Sequence, residues 1–298
     1  MTGPACGRDS QPLDNNRVYP CAKTPPLVVD AFCTPKPLGL AFHSIKDRIF
    51  VMRQINRLAL AALAAPLALG LAACASGEDG GSLNGEPIDP IAAPEGTSWT
   101  QTATMTEMGG ILMGNPDAPL KLVEYASHTC PACANFANQA GSALDEYVAS
   151  GVVSFELRNQ VHDPLDLTFA TLVRCGDPAT GVPLAKQGWA DLNAIRDRAL
   201  GDQAAFQAAS SQPPETRMQA IGEVTGLLDW FSSRGISRDQ GLACLADSEA
   251  VDTIISNSQT QSDELGVTGT PTFFLNDRRL DGTSWSVVET ALQGAGAR

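Results

Sequence analysis

The sequence predicts an α/β domain with a helical insertion, preceded by an N-terminal region of different character. Three observations support this prediction. A strand, a helix and a second strand follow one another from Leu120 to Arg158, no strand-like run occurs between residues 164 and about 250, and two short strands and a closing helix follow. Because a β-α-β unit joins parallel strands through a crossover helix, the first half predicts a parallel pair at the centre of a sheet.

The first 51 residues lack the pattern of a folded domain. They contain seven prolines, scattered cysteines at positions 6, 21 and 33, and no sustained hydrophobic period. A segment of this kind has little apolar surface to bury. We interpret residues 1–51 as a disordered extension upstream of a translation start at Met52.

Residues 52–73 have the order of a signal peptide, with a short basic region, an uncharged run rich in Leu and Ala, and small residues at the end. The final Leu71-Ala72-Ala73-Cys74 resembles the lipobox of bacterial lipoproteins, whose cysteine becomes the lipidated first residue of the mature chain. An uncleaved membrane helix is the alternative, but the run is short and contains Pro66. We therefore expect a protein anchored to the cell envelope only by a lipid on Cys74, facing the periplasm or another extracytoplasmic side.

Residues 74–104 are rich in Gly, Pro and acidic side chains. This composition predicts a flexible, extended linker that lets a lipid-anchored domain reach partners beside the membrane. The folded domain is expected to occupy residues 105–298.

The first half of that domain begins with the turn-rich segment Gly114–Pro119. Leu120–Tyr125 is apolar and predicts a central strand, and Cys130–Ala149 is rich in helix formers. Gly151 ends the helix, and the alternation of Val152–Arg158 predicts the second strand.

Residues 164–250 are predicted to form an insertion of helices, broken at Gly176–Pro183 and at Pro213-Pro214. Asp247 or Ser248 is a suitable N-cap for a helix over Glu249–Leu265. The final elements are a hairpin across Asn276-Asp277, formed by Phe273–Asn276 and Arg279–Leu280, and a helix over Ser284–Gln293.

Cys130-Pro131-Ala132-Cys133 lies where the first strand leads into the first helix. Unpaired N–H groups and the helix dipole at this end favour a thiolate on Cys130. Pro131 suits the first turn, where a missing N–H costs nothing. Cys133 is expected on the same side but deeper, so the pair can cycle between dithiol and disulfide, with Cys130 as the exposed sulfur.

Two other interpretations of this pair are a metal site and a structural disulfide. Half of a zinc site would need two more ligands at a recognisable spacing, yet the sequence has no second Cys-x-x-Cys, and only His128 and His162 lie beyond Cys74. A purely structural disulfide is the second alternative. The strand-to-helix placement favours a redox pair over both, with no metal.

Gly269-Thr270-Pro271-Thr272 adds a second motif far downstream. The two motifs at this separation resemble the DsbA-like extracytoplasmic thiol–disulfide oxidoreductases of the thioredoxin superfamily, over roughly residues 113–293. The resemblance implies a thioredoxin-like fold, a cis Thr270–Pro271 bond packed against the cysteines, and no cofactor. Glu124, six residues before Cys130, matches the buried acid under the active site of such proteins. Ala132 departs from the best-known members, which carry His there.

The resemblance also bears on partners and on the remaining cysteines. It implies thiol-containing protein substrates and a membrane or periplasmic redox partner. Some DsbA-like proteins are similar in carrying a second disulfide within the helical insertion, which here would join Cys175 to Cys244. Two buried free cysteines are the alternative, since free cysteine behaves as a small hydrophobic residue.

Charge disfavours other partners, because 12 Lys or Arg oppose 29 Asp or Glu from Cys74 onward. With no basic stripe, nucleic acid and electrostatic attachment to anionic lipid are disfavoured.

The alternative function is a copper-binding or copper-delivery protein that uses the same fold and thiols. Such proteins usually add a His or Met ligand, and Met105, Met108 and Met113 lie upstream with nothing to fix them near Cys130. His128 is expected either to contact the thiolate or to lie exposed in the loop.

Overall fold

A computed structural model of the protein describes residues 85–298, in which six strands form one mixed sheet in the order β1-β2-β4-β3-β5-β6. The strands are β1 (Ala103–Met105), β2 (Ile111–Met113), β3 (Leu120–Ala126), β4 (Val153–Asn159), β5 (Thr272–Leu275) and β6 (Arg278–Arg279). The predictions for residues 1–84, including the signal peptide, the lipidated Cys74 and the first part of the linker, lie outside the described residues.

The central pair of the sheet is β3 and β4, which run parallel with Leu120 opposite Val153 and Ala126 opposite Asn159. Helix α1 (Pro131–Ala149) is their crossover connection. Strand β5 pairs antiparallel with the other edge of β3. The predicted α/β fold with a parallel central pair is therefore confirmed, and the segment before β5 lies beside the end of β3.

Seven helices lie between β4 and the long helix α9, as the predicted insertion requires. They are α2 (Pro164–Val173), α3 (Pro178–Ala190), α4 (Leu192–Gly201), α5 (Gln203–Ser210), α6 (Pro214–Val224), α7 (Leu227–Ser232) and α8 (Arg238–Ala246), followed by α9 (Ser248–Leu265) and, after the hairpin, α10 (Trp285–Gly294). The predicted break over Gly176–Pro183 is too long, because Pro183 lies inside α3. In the second turn, a proline removes only one early helical hydrogen bond, and the Asp177 side chain caps the first turn.

The ends of several elements follow the predicted local chemistry. Asp247 is the N-cap of α9 and accepts the N–H of Ala250. Asn276 and Asp277 both have left-handed φ values, 48° and 63°, and form the turn between β5 and β6. Gly141 is non-helical within α1 and marks a kink that the sequence did not predict.

The second part of the predicted linker is ordered against the domain. The Gly85 N–H donates to the Gly294 carbonyl at 2.6 Å and the Ile88 N–H to the Gly296 carbonyl at 2.9 Å. The Ile91 carbonyl accepts the Trp99 indole N–H at 2.8 Å. We call residues 85–98 the N-terminal strap. The prediction of a flexible linker is wrong for this part, because its backbone groups find partners on the C-terminal residues.

Candidate active site

Cys130 is the N-cap of α1, at the point where the loop Ser127–Thr129 leads from β3 into the helix. Its sulfur accepts the Cys133 backbone N–H at 3.4 Å. Both cysteines are free thiols; Cys130 is 9% exposed and Cys133 is fully buried. The structure therefore buries both cysteines, Cys130 less completely than Cys133, and the expectation of an exposed sulfur at Cys130 is wrong, because the loop before β5 packs against it.

The two thiols differ strongly in acidity. A hydrogen bond from the Cys133 side chain, together with backbone N–H groups of Ala132 and Cys133, lowers the pKa of Cys130 to about 5 against the opposing effect of burial. Burial raises the pKa of Cys133 far above its ordinary value. Cys130 is therefore the thiolate at neutral pH, and Cys133 stays protonated and donates to it.

The loop before β5 lies directly against Cys130. The Thr270–Pro271 peptide bond is cis. The Cys130 thiol sulfur lies 3.3 Å from the Thr270 carbonyl oxygen. Because β5 pairs with β3, the sheet itself brings this loop to the Cys-x-x-Cys motif across 140 residues of sequence.

Glu124 lies on β3 between Leu157 of β4 and Phe273 of β5, and it is 1% exposed. Its Oε1 atom has no hydrogen-bond partner in the described structure. Burial, and next the charge on Cys130, raise the pKa of Glu124 to about 8. The Glu124 charge in turn helps to raise the pKa of Cys133. The buried carboxyl is thus electrostatically coupled to both sulfurs.

His128 lies in a hydrophobic environment. Its ring centroid is 4.7 Å from that of Phe169 and 5.5 Å from that of Trp189, and neither ring nitrogen has a hydrogen-bond partner in the described structure. Burial lowers the pKa of His128 to about 3. The expectation of an exposed loop residue is wrong, and the neutral imidazole makes no hydrogen bond to the Cys130 sulfur.

Sequence reasoning missed the residues that hold the loop before Cys130. Asp166 accepts the His128 N–H at 2.7 Å, and Asp163 accepts the Thr129 hydroxyl at 2.8 Å. The Trp189 indole N–H donates to the Ser127 carbonyl at 3.0 Å. The available signal was Asp163-Pro164-Leu165-Asp166, an N-cap with an acidic residue three positions later.

Cys175 and Cys244 form a disulfide within the insertion, as the resemblance implies. It joins the segment that follows α2 to helix α8, and it is separate from the Cys130 site. Met105 lines a cavity beside this disulfide, so that one of the three upstream methionines lies away from Cys130.

Within residues 85–298, no group of three or more His, Cys, Asp or Glu side chains is placed to hold a metal ion. In the same part of the chain, no helix combines the length and the apolar character that a membrane crossing requires.

A Cys-x-x-Cys pair at a strand-to-helix junction, facing a cis-proline loop on the neighbouring strand, defines a thioredoxin-like protein. A family model described as Thioredoxin matches residues 106–293. The chain belongs to this family, and the predicted resemblance to the thioredoxin superfamily is confirmed.

Similar curated proteins come from several Rickettsia species. One from Rickettsia bellii, named "Putative protein-disulfide oxidoreductase", is 23% identical over 62% of this chain and 64% of its own length. A protein of the same description from Rickettsia typhi is 24% identical over 66% of this chain and 65% of its own length. The match thus spans somewhat less than two thirds of either relative.

Among solved structures, protein-disulfide isomerase from Novosphingobium aromaticivorans is similar to this chain. Its sequence is 29% identical and its TM-score is 0.57, over 61% of this chain and 94% of that chain.

Proposed function

We propose that the protein is a thiol–disulfide oxidoreductase that exchanges disulfides with protein thiols outside the cytoplasm. The observation that supports this most strongly is the asymmetry of the pair. A less buried sulfur with a pKa of about 5 lies beside a fully buried thiol with a strongly raised pKa. Such a pair suits exchange, because the thiolate is the nucleophile and the sulfur of lower pKa is the better leaving group. The relatives named as disulfide oxidoreductases support the same function.

The exchange proceeds in two steps. When the pair is oxidised, a substrate thiolate attacks the Cys130 sulfur, the Cys130–Cys133 bond breaks, and Cys133 leaves and takes up a proton. The second substrate thiolate then attacks the substrate sulfur of the mixed disulfide and releases Cys130 as a thiolate. Two electrons pass from the substrate dithiol to the cysteine pair, and the reverse sequence reduces a substrate disulfide. The reduction potential of the pair decides the direction.

Glu124 is proposed to exchange the proton with Cys133. With a pKa of about 8, this buried carboxyl holds a proton near neutral pH and is coupled to the sulfur that leaves or attacks inside the protein. A proton donor or acceptor is effective when its pKa lies near the working pH.

Thr270 and Pro271 are proposed to receive the substrate backbone. The Thr270 carbonyl already contacts the Cys130 sulfur at 3.3 Å, at the start of a strand. An extended substrate segment can pair with such an edge through main-chain hydrogen bonds and bring its cysteine to Cys130. Pro271 contributes no N–H donor beside the sulfur.

Three variants test the roles of the cysteines with a reduced and an oxidised peptide as substrates. Cys130→Ser should abolish exchange, and Cys133→Ser should accumulate a mixed disulfide at Cys130. Removing the other disulfide, by Cys175→Ser with Cys244→Ser, is the matched control and should leave exchange intact. Alkylation of the reduced protein at mildly acidic pH should label Cys130 first. Preferential labelling of Cys133, or exchange that survives Cys130→Ser, would contradict the proposal. Tight copper binding without exchange would favour the copper alternative.

We propose a lipid anchor at Cys74 on the basis of the sequence motif. Such an anchor holds the domain close to reduced substrate proteins and to a redox partner at the membrane. Expression of the full chain in a bacterium and fractionation of its membranes tests this. Cys74→Ala should release the domain or block processing. A mature N-terminus within residues 1–51 would count against it.

A further inference from the structure

We infer that Asp166 is a positioning residue for thiol exchange, because its buried carboxylate fixes the loop Ser127–Thr129 that presents Cys130. This inference rests on the proposed function and adds a residue outside the two motifs to the site. It begins from the backbone N–H groups of two loops, which both donate to a single side chain of α2.

The contacts of Asp166 are directed at the residues just before Cys130. Oδ1 accepts the His128 N–H at 2.7 Å, and Oδ2 accepts the His162 N–H at 2.9 Å. The Ser127 hydroxyl oxygen accepts the Thr129 N–H at 3.1 Å and so holds the loop internally. The loop before Cys130 and the loop that follows β4 are therefore tied to the same carboxyl group of α2.

A second set of hydrogen bonds connects the next residue of the loop, Thr129, to the start of α2. One oxygen of Asp163 accepts the Asp166 N–H at 2.9 Å, and the other accepts the Thr129 hydroxyl at 2.8 Å. Thr129 is the immediate neighbour of Cys130. Asp163 is also the N-cap of α2, so that helix does not need Asp166 as its cap.

The partners of Asp166 require an acceptor at both oxygens. Both oxygens of a carboxyl group keep acceptor capacity whether the group is ionised or protonated, whereas an amide of the same shape carries two N–H donors in place of one oxygen. Asparagine at this position would therefore place donors against one of the two backbone N–H groups. A buried donor without a partner weakens the structure locally.

The surroundings make this carboxylate costly to retain. Asp166 is completely buried, and burial raises its pKa to about 7. The charged groups that interact with it are the Asp163 carboxylate and the half-buried guanidinium of Arg174. Arg174 donates its own N–H groups to the carbonyls of Ala170 and Gly109. Buried ionisable groups with shifted acidity concentrate at functional sites.

The test compares Asp166→Asn with Asp177→Asn in the full chain. Asp177 is also an aspartate that caps an insertion helix, but it accepts only the Ala179 N–H and lies outside the loop. The pH dependence of alkylation at Cys130 gives the thiol pKa, and thermal unfolding gives the stability. With the loop loosened, we expect the pKa of Cys130 to rise by about one unit in Asp166→Asn, which lowers the thiolate fraction about fivefold at pH 5. Asp177→Asn should leave the alkylation curve unchanged.

The sign of the shift separates positioning from other roles. If Asp166 acted only through its negative charge, the pKa of Cys130 would not rise, because Asp166, with a pKa of about 7, is mostly protonated where Cys130 titrates and disfavours the thiolate where it is ionised. If it were only structural, the unfolding temperature would drop with no change in the pKa. Either result overturns the inference. Exchange by the wild-type protein is measured in parallel, and its absence would instead contradict the proposed function.

A second variant covers the case in which Asp166→Asn does not fold. Thr129→Val removes the outer hydrogen bond to Asp163 and leaves Asp166 in place. It should raise the pKa of Cys130 in the same direction by a smaller amount, and Thr129→Ser, which keeps the hydroxyl, should restore the wild-type curve. An unchanged curve in Thr129→Val, or a raised pKa in Thr129→Ser as well, would contradict the inference.

Discussion

At the scale of single residues, the chemistry of the site depends on which of the two cysteine sulfurs carries a proton. The Cys133 side chain donates to Cys130 and lowers the pKa of that thiol, while burial keeps Cys133 itself protonated. The stabilised thiolate belongs to the reduced form of the pair. Stabilising the reduced form makes the disulfide more oxidising.

Glu124→Gln tests the buried carboxyl through the pH dependence of stability. The pKa of Glu124 is about 8 in the folded protein and 4.5 ordinarily. Between these values, the folded state keeps a proton that the unfolded state has released, so stability falls as the pH rises through this window. Gln has no such proton to lose. We therefore expect Glu124→Gln to become more stable relative to wild type from pH 5 to pH 8, by at most about 1.4 kcal/mol per pH unit.

Denaturant unfolding of the reduced protein at several pH values measures this difference. The ionisation of Cys130 changes stability with pH in the opposite direction, because the pKa of Cys130 is lowered. Both proteins share this contribution, so it largely cancels in the difference between their free energies of unfolding. Glu264→Gln, which replaces an exposed carboxyl of α9 by the same amide, is the control variant measured alongside. A flat difference for Glu124→Gln would show that the carboxyl is already ionised in the folded state.

The sequence could predict the residues whose role depends on local order, but not those whose role depends on distant contacts. Cys130 was predicted as the thiolate of the pair because the strand-to-helix junction is local. His128 was placed wrongly, because its ring packs against Phe169 and Trp189 of the insertion. Asp166 was missed for the same reason, since its partner in the Cys130 loop, His128, lies 38 residues earlier in the chain.

At the scale of elements, strands with clear alternation and helices with good caps were predicted within one or two residues. Strands β1 and β2 were missed because each has only three residues, too few to show a period. The N-terminal strap was missed because its glycines and prolines indicate flexibility, whereas its order comes from hydrogen bonds to the residues after α10.

Gly296→Ala tests the contribution of the strap. Gly296 has φ of 111°, and an added Cβ would lie 3.0 Å from Ile88 Cγ1 and still closer to the Glu86 carbonyl. Gly235 has a similar φ of 100°, but nothing lies within 4 Å of an added Cβ. Backbone strain alone costs roughly 1–2 kcal/mol at either position. We expect Gly296→Ala to lose more unfolding free energy than Gly235→Ala and to expose residues 85–98 to limited proteolysis.

The Gly235→Ala variant measures the strain without a steric contact, so the difference between the two variants reports the strap. Equal losses, with residues 85–98 still protected from protease, would show that the strap adjusts without cost.

At the scale of the whole molecule, the fold joins three distant segments at one end of the sheet. Strand β3 carries Glu124, its following loop carries Cys130, and β5 begins beside the cis-proline. The order β4-β3-β5 makes this convergence a property of the sheet, and the resemblance to the thioredoxin superfamily was sufficient to predict it. The helical insertion contributes what the resemblance did not predict, since α2 supplies the carboxylates behind the Cys130 loop.

The acidic character of the protein predicts which substrates approach fastest. The chain has a net charge of −13. The electric field of a negatively charged protein raises the encounter rate of positively charged partners. Salt weakens this effect, because it shortens the screening length from about 30 Å at 0.01 M to about 3 Å at 1 M. We expect the oxidised protein to react several-fold faster with a dithiol peptide flanked by Lys than with its twin flanked by Glu at low salt. Stopped-flow rates at the two salt concentrations measure this difference between the peptides.

Flanking charges also alter the peptide thiols themselves, so each rate is divided by that of the same peptide with a small neutral disulfide. A normalised ratio near one at low salt, or a ratio that persists at 1 M, would show that the overall charge does not steer substrates to Cys130.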